Sequence, residues 1–184
     1  MTIKYKNPYG DYSFETFNKE NAAFVDKTGF IEVIDNLDTK YPVLLRPRRF
    51  GKSTFVQMLD YFYDIAKKDQ YDEVFRGTKI HEMNLPSHNS YHVISFEFSE
   101  IFGNTSQELI KKFSSNILGS IRDFRTRYKD FEFDIESRKN DSPSTIIDEF
   151  FSIYGEYSNN TITPNIMNIR ENNNFSFNLS FKRK

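Results

Sequence analysis

Gly51, Lys52 and Ser53 stand together in a basic stretch, Arg46-Pro47-Arg48-Arg49-Phe50-Gly51-Lys52-Ser53-Thr54, whose residue types could hold a chain of phosphates. Phosphate must approach the backbone closely in such a loop, and a β-carbon at Gly51 would stand in the way. The Lys52 ammonium could reach β- and γ-phosphates, and the Ser53 hydroxyl could ligate Mg²⁺. If a helix begins here, its unpaired N–H groups, from about Arg49 through Thr54, point at the anion and its dipole favours negative charge. Arg48 and Arg49 add positive charge beside that place, although a solvated basic turn would read the same way. The stretch departs from the GxxxxGK[ST] form at its first position, where Arg46 replaces glycine, and Pro47 supplies no N–H. Neither change removes much of the donor set, which lies late in the loop. The candidate phosphate residues are therefore Arg48, Arg49, Phe50, Gly51, Lys52, Ser53 and Thr54, with Ser53 as metal ligand.

Gly-Lys-Ser alone is a common tripeptide, so the flanking elements must carry the assignment. Upstream, Tyr41-Pro42-Val43-Leu44-Leu45 is a short apolar run of strand type. Downstream, Phe55, Leu59, Phe62 and Ala66 fall on one face of a helix. Strand, glycine-bearing loop and helix in that order form the setting a phosphate loop requires.

The segments FVDKTGFIEVIDNL (24–37) and LLRPRRFGKSTFVQMLDYFYD (44–64) together resemble the start of the AAA-ATPase-like family, whose members often carry a PD-(D/E)xK nuclease-like domain further along. The family's loop also reads RPRRFGKS, so Arg46 is a family trait. The resemblance runs from about Phe14 to about Tyr154, with FRGTKI, YHVISFEFS and the next helix in the expected order. It implies ATP and Mg²⁺ as ligands. It also makes Asp26 and Lys27 candidate nucleotide-pocket residues, because residues just upstream of such loops often cover the base. The residues alone favour a helix cap, Asp26 or Thr28, and a surface lysine over that role.

The remaining chain supplies elements. Pro8 and Gly10 mark a turn, Phe14 and Phe17 anchor a short helix, and Phe30, Ile31, Ile34 and Leu37 follow helical spacing. Tyr71, Val74 and Phe75 predict a helical turn ended by Gly77. Tyr91–Ser99 alternates as a strand, expected beside the first in a mostly parallel sheet, with Glu97 and Glu100 near the carboxyl edge. Thr105 and Glu108 form a capping box ahead of a helix with Ile110, Phe113, Ile117, Ile121 and Phe124 on one stripe. Its basic residues Lys111, Lys112, Arg122, Arg125, Arg127 and Lys129 are followed by Asp130, Glu132, Asp134 and Glu136, so charge cancels locally. His81, His88 and His92 complete no metal-ligand spacing.

Hydrolysis at a phosphate loop needs a second acidic strand. Thr145-Ile146-Ile147-Asp148-Glu149 imitates one, but Pro143 and Ser144 start a helix and Ile146, Ile147, Phe150, Phe151 and Tyr154 keep helical spacing. The asparagine-rich residues 158–184 do not resemble the family. Phe175, Phe177, Leu179 and Phe181 alternate as a strand would, yet such composition favours an irregular or disordered tail.

A formal net charge of −1, no cysteine and no long apolar run exclude a polyanion-binding global field, disulfides and a helical membrane span. The expected fold is α/β, an incomplete P-loop NTPase-like parallel sheet with flanking helices over residues 1–157 and an irregular tail over 158–184. The expected protein is cytoplasmic and binds nucleotide. It hydrolyses it poorly or not at all, as though truncated before the acidic strand. The alternative is a nucleic-acid or protein interaction module that uses RPRRF and the basic helix without nucleotide.

Overall fold

The computed structural model describes residues 13–19, 25–37, 43–45, 47, 50–98, 101–158, 164–171 and 174–182. The turn expected at Pro8 and Gly10, Glu100, and Arg46, Arg48 and Arg49 of the basic stretch lie outside the described residues. Among the described residues, helices and strands follow in the order α1 (Phe14–Lys19), α2 (Gly29–Asp35), β1 (Val43–Leu45), α3 (Lys52–Tyr63), α4 (Tyr71–Phe75), α5 (Lys79–Met83), β2 (Tyr91–Glu97), α6 (Ser106–Arg127), α7 (Pro143–Tyr157), β3 (Pro164–Glu171) and β4 (Asn174–Lys182). A 3-10 turn, Ile65–Gln70, joins α3 to α4.

The strands form one sheet in the order β1-β3-β4-β2. β1 and β3 pair in parallel, while β4 is antiparallel to both β3 and β2. This corrects the sequence expectation in two ways. The strand expected to neighbour β1 lies at the opposite edge, and the segment expected to be irregular supplies the two central strands. Two antiparallel steps separate β3 from β2, so β2 still runs in the same direction as β1. A short connection between Glu171 and Asn174 makes β3 and β4 an antiparallel hairpin, which local pairing favours over another long crossover. The sheet is therefore mixed and not mostly parallel.

Burial along β2 explains why its alternation covers two cores. Tyr91 and Val93 join Phe55, Met58, Leu59, Phe62, Phe75 and Ile31 in a core built by α1 to α5. Ile94, Phe96 and Phe98 join Ile117, Ile121, Phe124, Phe150 and Tyr154 in a second core built by α6 and α7. A strand buried on both faces between helical layers is the α/β arrangement. Aromatic rings fill both cores in edge and tilted contacts; Phe124 meets Phe131 and Phe150 edge-on at 5.1 and 5.4 Å.

α3 buries Phe55, Leu59 and Phe62 as their spacing predicts, but it stops at Tyr63, and Ala66 is exposed in the 3-10 turn. Asp64 causes the break: its backbone is extended (ψ 118°) and its carboxylate caps the next turn through the Ala66 N–H at 2.8 Å. α6 buries Ile117, Ile121 and Phe124, whereas Ile110 is exposed, because the first turns of α6 project past the core. The capping box is offset by one residue. Thr105 accepts from the Glu108 N–H at 3.2 Å, and Glu108 Oε2 accepts from the Asn104 N–H at 2.9 Å. α7 contains Asp148 and Glu149, so the acidic-strand imitation is helical, with Ser142 capping through the Thr145 N–H.

Candidate phosphate site at the start of helix α3

β1 ends at Leu45 and α3 begins at Lys52, with Gly51 as N-cap in the left-handed conformation at φ 73° and ψ 29°. A residue with a β-carbon pays roughly 1–2 kcal/mol for that backbone, which is why glycine stands here. The Phe55 N–H donates to the Gly51 carbonyl at 3.0 Å, the first turn of α3. As N-cap, Gly51 has no side chain with which to accept from the first N–H groups of α3, which are the donors an anion could use. Lys52 is buried, 2% exposed, and its Nζ donates to the Pro47 carbonyl at 3.4 Å, folding the ammonium back across the loop. Ser53 is exposed and Thr54 half-buried in the first turn, while Phe50 lies 58% exposed on the approach.

Asp26 and Lys27 arrive from the segment before α2. The Asp26 carboxylate is occupied structurally: Oδ1 accepts from the Thr28 N–H and Oδ2 from the Lys79 N–H, both at 2.8 Å. Partial burial pushes this carboxyl up, but the donors from Lys79 and Thr28 outweigh it and hold it below the ordinary carboxylate value. Thr28 occupies the N-cap position of α2 but does not cap it. Its buried Oγ1 accepts instead from the Ile80 N–H at 3.2 Å. Asp26 and Thr28 thus satisfy the first N–H groups of α5. Lys27, between them, points the other way, its Nζ 3.7 Å from where a β-carbon on Gly51 would be. Gly51, Lys52 and Lys27 are therefore brought together, and Asp26 is turned aside.

The sheet places acidic residues on the same edge. β1, β2 and β3 share one direction, so their carboxyl ends meet where ligands bind in open α/β sheets. Glu97 ends β2 and is exposed. Glu171 ends β3, one residue past the Leu45↔Arg170 pair, beside the end of β1. Sequence reading missed Glu171 because Asn-rich surroundings hid the strand; the alternation in 174–182, a hairpin partner, was the available signal.

A second polar cluster lies beneath α3. Asp64 is fully buried; its Oδ2 accepts from Arg127 at 2.5 Å and its Oδ1 from the Tyr128 hydroxyl at 2.6 Å. The Tyr128 oxygen in turn accepts from the Val93 N–H at 2.8 Å. Burial raises the Asp64 carboxyl against the pull of Tyr128 and Arg127. Both carboxylate oxygens are taken up, and the cluster ties the end of α3 to the end of α6 and to β2. The partners lie 63 and 64 residues away in sequence, beyond any local pattern. The histidines are engaged separately: His81 with Asp72, His88 stacked on Tyr71, His92 with the Tyr154 hydroxyl at 2.8 Å. Among the described residues no helix is long and apolar enough to cross a membrane.

A family model described as "Predicted AAA-ATPase" matches residues 8–176. No curated protein and no solved structure matches the chain.

Proposed function

Because the chain belongs to the AAA-ATPase-like family, we propose that it binds a nucleoside triphosphate with Mg²⁺ at the β1–α3 junction. Gly51, Lys52, Ser53 and Thr54 hold the phosphates and Ser53 ligates the metal; Phe50, Arg48 and Arg49 flank them. The observation that carries this reading is the left-handed Gly51 at the start of α3, with Lys52 folded across the loop it would release on taking up phosphate. Bound Mg²⁺ would neutralise phosphate charge; the chain's own groups bind and orient the phosphates.

Hydrolysis is slow or absent in this proposal. β3 ends in the single acid Glu171 after Ile169-Arg170, where a hydrolase needs acids that both hold the metal and orient water. Titration with labelled ATP tests the binding, which should be measurable in the wild type and lost in Lys52→Ala. Equal and negligible binding by both would end the proposal. If RPRRF instead contacted a polyanion without nucleotide, ATP would not bind and nucleic-acid affinity would fall steeply with salt.

A further inference from the structure

The segment 25–28 is anchored more firmly than a surface loop requires. Thr28 is fully buried and holds Ile80, Asp26 holds Lys79, and Gly29 lies so close to α5 that a β-carbon there would meet the Lys79 side chain at 3.0 Å. Between these anchors the backbone of Lys27 is held in place. Its ammonium lies against Gly51, half-buried, and takes no hydrogen-bond or salt-bridge partner among the described residues.

That placement is electrostatically unfavourable in the empty protein. The N-terminus of α3 carries partial positive charge, and Lys52 already adds a full one to the same loop. A second ammonium held there by a fixed segment makes sense if an anion completes the site. The ammonium faces Gly51, where phosphate and not base must approach.

We propose that Lys27 is a second phosphate-binding ammonium, delivered to the loop from outside it by the clasp of Asp26 and Thr28 on α5. Asp26 and Thr28 are positioning residues; Lys27 touches the polyphosphate. The inference rests on the nucleotide-binding reading but assigns Lys27 to the phosphates and not to the base.

The test compares ATP with inorganic tripolyphosphate, which has no base. Lys27→Gln should weaken both by about tenfold, the loss of one charge-assisted hydrogen bond, and Lys27→Arg should restore most of it. A Lys27→Gln protein that loses ATP affinity but binds tripolyphosphate as the wild type does would overturn the assignment, as would unchanged affinity for both. Reductive methylation of the wild-type chain needs no variant: tripolyphosphate should protect Lys27, and absence of protection would count equally against it. If the wild type binds neither ligand, the nucleotide reading itself falls. If wild-type binding is lost in Lys52→Ala but kept in Lys27→Gln, only this inference does.

Discussion

Gly51 shows how one residue's backbone can matter more than its chemistry. Gly51→Ala introduces a β-carbon only into ordinary contact with Lys27, at 3.7 Å, so its effect comes from the left-handed backbone. The expected loss is about 1–2 kcal/mol of stability, read as a shift in denaturant midpoint, together with weaker ATP binding. Buried tyrosines set another residue-scale behaviour. Burial, then the charges of Asp35 and Asp64 respectively, raise the Tyr63 and Tyr128 hydroxyls well above their usual value of 10.0. A raised native pKa means the folded protein keeps protons that the unfolded chain releases. The stability these groups supply is present below pH 10.0 and is lost as pH climbs through the native values. Unfolding midpoints should therefore fall above about pH 10, and Tyr63→Phe should remove part of that slope. An unchanged midpoint into that range would contradict the burial described for these rings.

At the scale of elements, helix ends decide more than helix interiors. α3 begins at Gly51 and ends where Asp64 leaves the helix to bind Arg127 and Tyr128. Asp64→Ala leaves the buried Tyr128 hydroxyl without its acceptor and Arg127 with Asp60 as its remaining carboxylate partner, and should destabilise by about 3 kcal/mol. Thermal unfolding would show this as a large drop in midpoint, and a change within error would mean the cluster is solvated in solution. Asp148 is the contrasting case. It is exposed on α7, so Asp148→Ala should leave both stability and any nucleotide turnover within about 0.5 kcal/mol or twofold of wild type. The helix stripes were legible from spacing, and so were the Thr105 cap and, from Pro143 and Ser144, the start of α7, because these signals are local. Ala66 and Ile110 were misplaced for one reason: periodicity says which residues could share a face, not where the helix stops or how much of it the core covers.

At the scale of the whole molecule, the described strands form one mixed sheet whose strand β2 contributes to two aromatic cores, and its centre comes from β3 and β4. β4 pairs on both sides, Leu179 lying between Ile94 of β2 and Ile166 of β3. Proline there removes a ladder hydrogen bond in a central strand, so Leu179→Pro should lower stability by about 3 kcal/mol or more. Hydrogen exchange should show wild-type β4 amides among the protected ones. If the variant melts as the wild type does, the hairpin does not complete the sheet. The family match from residue 8 to 176 likewise reaches past α7 and through β3.

What the sequence determined by itself was local: the strand, glycine-bearing loop and helix in that order, the helical faces, and the helical nature of residues 143–157. Each rests on contacts within a few residues, where spacing and residue type carry the physics. Only the tertiary structure decided that Lys27 lies on the loop while Asp26 turns to α5. It also showed that Asp64 is buried against residues from α6 and that β3 stands beside β1 with Glu171 at its end. Those are pairings between residues 24 to 125 positions apart, set by burial and strand register, which leave no periodic trace in the chain.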